Sequence, residues 1–149
     1  MKMNKIRQEI LKWCSAIDRK GGKPLGYFYD KHKDFIGITD GFCVFIYKAS
    51  ENIFDVNNDK YFSIMRLEEL FKLDADDVLL HDTKTIKELK NLTVHCFNKG
   101  EKTVYVQEKL LKLFDIDDGQ FWQAERDDLG VIKITEEQEV VGVILPVRP

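Results

Sequence analysis

The sequence predicts an α+β fold in which helices stand apart from antiparallel hairpins. Three observations carry this. Residues 3–19 place apolar side chains at helical spacing, and residues 26–48 change to the aromatic and β-branched composition of strands. A strand, a helix and three strands at residues 103–147 then loosely repeat the helix and three strands of residues 3–48. A chain of 149 residues, 44% apolar and 11% aromatic, fills one core, so a single domain over residues 1–149 is expected and a disordered chain is excluded.

In residues 3–19, Met3, Ile6, Ile10, Trp13, Cys14 and Ile17 fall on one stripe of a helix, and Gly21-Gly22 ends it. Residues 26–32, 34–39 and 42–48 read as strands, the last two flanking Asp40-Gly41, a strong hairpin signal. Residues 49–60 are polar and read as a loop. Met65, Leu67, Leu70, Phe71 and Leu73 suggest a short helix over 65–73. Strands are expected at 78–80, 92–97 and 103–106, with a turn at Lys99-Gly100. A second helix follows at 107–115, carrying Leu110, Leu111, Leu113 and Phe114, and three strands at 120–124, 131–135 and 140–147 close the series.

Cys14, Cys43 and Cys96 are odd in number, unevenly spaced and contain no CxxC pair, which fits a reducing cytoplasm better than a disulfide framework. The longest apolar run, residues 140–147, holds a proline and falls well short of the roughly 20 residues a membrane span needs, so no membrane partner is expected. Lys5, Arg7, Glu9 and Lys12 interrupt any signal-peptide apolar region.

A net charge of −3 gives no global attraction for nucleic acid, but its distribution is uneven. Residues 1–34 hold nine basic and four acidic side chains, net +5, and the remainder holds 14 and 22, net −8. Lys5, Lys12 and Arg19 recur every seven residues and line one face of the first helix. Such a row can meet phosphates without reading bases, giving sequence-independent, salt-sensitive DNA binding; a solvated helix face is the plain alternative.

Sequence signals for chemistry are sparse. An EF-hand starting at Asp55 meets Lys60 where glycine is required and Arg66 where the bidentate glutamate is required. His95 and Cys96 are adjacent on a strand and point to opposite faces, so they cannot share one ligand. Asp82-Thr83-Lys84 with Asp76 or Asp77 upstream has the outline of a magnesium-dependent nuclease centre, set against a plain strand end with a helix starting at Asp82 or Thr83. No catalytic residue, metal ligand or cofactor is assigned.

Two stretches carry a family resemblance. Phe35-Ile36-Gly37-Ile38-Thr39-Asp40-Gly41-Phe42-Cys43-Val44 resembles a hairpin of the bacterial DNA polymerase III beta-subunit sliding clamp. The segment Val140-Val141-Gly142-Val143-Ile144-Leu145-Pro146-Val147-Arg148 is similar to that family's C-terminal strand. The resemblance implies a DNA-clamp-like domain with two helices packed on one side of antiparallel sheets, non-catalytic and serving replication or repair. It implies that Lys5, Lys12, Arg19, Lys109 and Lys112 face duplex DNA. Leu145, Pro146, Val147 and Arg148 would form a cleft for short peptides of replication or repair proteins. A family ring closes with six domains, so a ring built from this one-domain chain would need a homo-oligomer of six copies. The alternatives are the magnesium-dependent nuclease and a small protein-interaction module without DNA contact.

Overall fold

The computed structural model describes residues 25–29, 32, 34–39, 42–51, 62–66, 68–114 and 119–149. The expected first helix, with Lys5, Lys12 and Arg19, lies outside them, as does the Asp40-Gly41 turn.

The described residues form two sheets. One has eight strands: β1 (Leu25–Tyr29), β2 (Phe35–Thr39), β3 (Cys43–Lys48), β4 (Phe62–Arg66), β5 (Asp77–Leu79), β9 (Gln120–Ala124), β10 (Ile132–Glu136) and β11 (Glu139–Ile144), in the order β4-β1-β2-β3-β11-β10-β9-β5. The other has three strands, β6 (His81–Leu89), β7 (Leu92–Lys99) and β8 (Lys102–Gln107), in chain order. All pairings are antiparallel except β1 with β4. The chain passes from the large sheet to the small one at Leu80, which is buried and donates its N–H to the Phe121 carbonyl at 2.8 Å.

Two-residue turns set the registers. Lys90-Asn91 and Glu137-Gln138 both carry positive φ at each residue, the geometry whose twist matches antiparallel strands, and Gly100 takes φ +61° at the first position of the β7–β8 turn. Non-glycine residues at four of these five positions store some backbone strain, offset by the pairing they permit.

The α+β expectation is overturned. Among the described residues there is one α-helix, α1 (Glu108–Leu111), a single turn, and the architecture is mostly antiparallel β. The apolar run 107–115 had a helical pattern, yet Gln107 supplies no side-chain cap, and the Leu113 and Phe114 N–H groups already bond three residues back, to Leu110 and Leu111. Packing explains the stop. Phe114 is drawn onto the large sheet, its ring 4.7 Å from that of Phe45, and it lies directly against Gly142, where an added Cβ would stand 2.1 Å from Phe114 Cε1. The two helices expected on one side of the sheets are therefore absent as an arrangement among the described residues: three strands occupy that position.

Other segments also changed type. Residues 65–73 were expected as a helix; β4 pairs with β1 there, and only Glu68–Leu70 makes a 3-10 turn, seating Leu70 in the core. Asp82 and Thr83 start no helix. They belong to β6, whose register slips between Asp82 and Thr85 with Lys84 at φ 56°, a β-bulge.

The core splits across the large sheet. Between the sheets lie Ile36, Ile38, Phe45, Ile132, Ile134 and Ile144 from the large one, against Phe97, Val104 and Val106 from the small one. The opposite face carries a smaller cluster of Val44, Ile46, Val140 and Val143 under Leu70, flanked by Phe71 and Leu73. Alternation along β3, β10 and β11 sends neighbouring residues to the two faces.

Candidate functional site

Two places gather polar side chains or open backbone with a geometry that could do work. The first is the outer edge of β8. Because Gly100-Glu101 is a two-residue turn, Lys99 and Lys102 exchange hydrogen bonds, and alternation then turns the backbone of Thr103 and Tyr105 away from β7. Tyr105 uses its outward carbonyl to accept the Val147 N–H at 2.8 Å, so the C-terminal residues lie along this edge as a one-residue strand. Beside that bridge, a groove of about 270 Å³ is lined by Lys102, Thr103, Tyr105, Leu129, Val147 and Pro149, with Asp128 at its charged end.

One wall of the groove is the turn at 125–130, and a buried lysine holds it. Lys99 Nζ donates to Gln123 Oε1 (3.0 Å), the carbonyls of Ala124 (2.6 Å) and Asp127 (3.4 Å), and Asp128 Oδ1 (3.1 Å). Gln123, fully buried, donates onward to the Gly130 carbonyl at 2.9 Å. Lys102 takes the other Asp128 oxygen at 2.7 Å. Hydrogen bonds from Lys102 and then Lys99 hold the Asp128 carboxyl below its ordinary range. Both walls, the β7–β8 hairpin and the 125–130 turn, are thereby tied to one ammonium group.

The second place is the β6 bulge. His95, on β7, turns toward the inter-sheet core with its ring 4.9 Å from that of Phe97. Its Nε2 lies 2.5 Å from Asp82 Oδ1 and its Nδ1 3.1 Å from Glu108 Oε2. The bulge aims Asp82: the Lys84 N–H donates to the same Oδ1 at 2.7 Å, and Thr83 Oγ1 donates to the Cys96 carbonyl at 2.7 Å. Burial alone would raise the Asp82 pKa, but the hydrogen bonds from His95 and the Lys84 N–H, with both positive charges nearby, hold it below the ordinary value. With both ring nitrogens engaged, neither is open to a substrate. They also point apart, and among the described residues no group of three His, Cys, Asp or Glu side chains could hold a metal ion.

The residues singled out from sequence are dispersed. Lys109, on α1, and Lys112, just past it, are exposed. Of the expected peptide cleft, Val147 lines the groove, Arg148 is exposed, and Leu145 lies across from Phe42, whose carbonyl takes its N–H at 3.0 Å. Leu145 and Phe42 form an exposed apolar pair, while Pro146 is half-buried between the two contacts. The nuclease candidates make no metal-holding group among the described residues. Asp77 accepts from Lys133 Nζ at 2.9 Å, Asp82 belongs to His95, and Asp76 gives its carbonyl to the Glu125 N–H at 2.9 Å.

Sequence reasoning missed His95 with its two carboxylates and the two buried lysines, Lys99 and Lys133. A lysine inside an apolar strand run, as in Ile132-Lys133-Ile134, was the available signal; the partners lie too far along the chain to be inferred. Among the described residues no helix is long and apolar enough to cross a membrane. Comparison with protein-family models, curated proteins and solved structures finds no match to this chain.

Proposed function

We propose that this chain is a non-catalytic interaction domain whose β8 edge and adjoining groove take an extended segment of a partner polypeptide. The observation that carries this reading is the Val147–Tyr105 bridge. It shows the edge accepting extended backbone at one position, while Thr103 turns its own N–H and carbonyl outward without a hydrogen-bond partner among the described residues. An extended peptide would add main-chain hydrogen bonds at Thr103 and place alternate side chains into the groove. Leu129 offers an apolar contact, 44% exposed, and Lys102 and Asp128 offer charges at one end.

Selection of peptides from a random display library against the whole protein, followed by calorimetry, tests this. Thr103→Pro removes the outward N–H at a position where an edge strand tolerates proline. It is expected to weaken selected peptides at least about tenfold, the equivalent of one lost hydrogen bond. Leu129→Ala should also weaken them. Peptides that bind both variants as well as the parent, or a selection that yields none, would remove the reading.

Duplex DNA as a partner has the exposed Lys109 and Lys112 in its favour. Titration at two salt concentrations tests it. A DNA affinity that Lys109→Glu with Lys112→Glu leaves unchanged assigns no contact to that segment.

A further inference from the structure

We propose that Asp82, His95 and Glu108 form a proton-operated latch that fastens α1, and the Phe114 plug behind it, to the three-stranded sheet. The three side chains come from three elements, β6, β7 and α1, and meet at a ring whose side chain is only 13% exposed. An imidazolium has two N–H donors and satisfies both carboxylates. A neutral imidazole has one, so loss of the proton leaves one carboxylate facing a ring lone pair.

The two contacts are unequal, which decides where the latch opens. Asp82 sits in a strand paired with β7 and also accepts the Lys84 N–H. Glu108 begins a single-turn helix that has no side-chain cap, and among the described residues its carboxylate has no further partner. When the ring keeps one proton, the better-anchored Asp82 retains it and Glu108 is released. The other charged groups on the surrounding elements do not substitute. Lys84 lies beside Asp82, Lys87 Nζ donates to Tyr105 Oη at 3.2 Å, Glu88 accepts from Thr93 Oγ1 at 2.6 Å, and Lys109 and Lys112 are exposed. The residues paired with His95, Ile86 and Val106, are apolar.

Release reaches the core through three hydrogen bonds. Lys112 N–H donates to the Glu108 carbonyl at 3.0 Å, and the Leu113 and Phe114 N–H groups donate to Leu110 and Leu111, both at 3.1 Å. Phe114 in turn covers Gly142 and packs on Phe45. Protonated, the segment is held; deprotonated, it opens more often and uncovers that margin of the inter-sheet core.

Amide hydrogen exchange by NMR tests the latch, with rates at Lys112, Leu113 and Phe114 normalised to intrinsic exchange. Across a pH series that converts the ring from imidazolium to neutral imidazole, protection of these amides should fall about tenfold while β7 amides hold. The midpoint should coincide with the titration of the His95 ring, followed by its carbon shifts. In Glu108→Gln the neutral amide can accept from or donate to the ring, so the pH dependence should disappear. His95→Gln, a second variant, should give the same flat profile should the first not fold. Flat wild-type protection, a midpoint apart from the His95 titration, or an undiminished pH dependence in a folded variant would each overturn the proposal.

Discussion

Among the described residues, each face of the large sheet buries one lysine, and the two are neutralised differently. On the face away from the small sheet, Lys133 (side chain 5% exposed) meets Asp77 (6%), and its Nζ also donates to the Lys72 carbonyl at 2.9 Å. Asp74 stands farther off at 3.5 Å, half out in solvent. Between the sheets, Lys99 is equally buried, but its partners are backbone carbonyls, Gln123, and an Asp128 that is 42% exposed and shared with Lys102. The first arrangement is a closed pair in which removing either charge strands the other. The second spreads one charge over several dipoles, so no single acceptor is indispensable. A buried cation is thus made tolerable either by one matched carboxylate or by many weak acceptors, with different sensitivity to mutation.

The largest test of this contrast is Asp77→Ala. It leaves Lys133 without its buried counter-charge and releases the Asp74 N–H, which donates to Asp77 Oδ2 at 2.8 Å. Urea unfolding should show a loss of about 3–5 kcal/mol. Asp77→Leu combined with Lys133→Met should recover most of it, because an apolar pair of similar volume needs no desolvation of charge. A double variant no more stable than Asp77→Ala would show that Lys133 matters through its Lys72 contact instead.

Gly142→Ala comes next and probes packing on the inter-sheet face. The new methyl would overlap the Phe114 ring, and a loss of about 2–3 kcal/mol is expected by the same measurement. A Gly142→Ala protein of parental stability would mean that Phe114 moves aside without cost. Gln123→Leu should cost less, about 1–2 kcal/mol, since Lys99 keeps its other acceptors and only the Gly130 carbonyl loses its donor. If Gln123→Leu were as damaging as Asp77→Ala, the contrast between the faces would fail.

The smallest effect is the acid response of the groove wall. Asp128 has a folded-state pKa below the ordinary 3.8, so its ionised form stabilises the fold above about pH 4. That contribution is lost as the pH falls through the lowered folded value. Thermal melts between about pH 5 and about pH 2.5 should therefore drop slightly less steeply for Asp128→Asn than for the parent. Identical slopes would show that solvent screens the Lys102 and Lys99 contacts.

Several elements were legible because their cause is local. Alternation and β-branched composition placed the strands at 34–39, 42–48, 120–124 and 131–135 close to where β2, β3, β9 and β10 lie, and Lys99-Gly100 marked a real turn. The opposed faces of His95 and Cys96 also followed from alternation, since they pair with Val106 and Tyr105 respectively. Helix length was not legible. Leu110, Leu111, Leu113 and Phe114 satisfy a helical pattern, yet the position of Phe114 depends on Gly142, 28 positions onward.

The sequence by itself determined a strand-rich, foldable chain with turns at defined points, because backbone preference and side-chain alternation act over a few residues. Tertiary structure alone decided the rest: that among the described residues the small sheet covers the inter-sheet face of the large one; that Asp82 and Glu108 converge on His95; and that Lys133 finds Asp77. Those outcomes depend on electrostatics and packing between groups 13 to 56 residues apart, where the energy exists only once the chain has closed on itself.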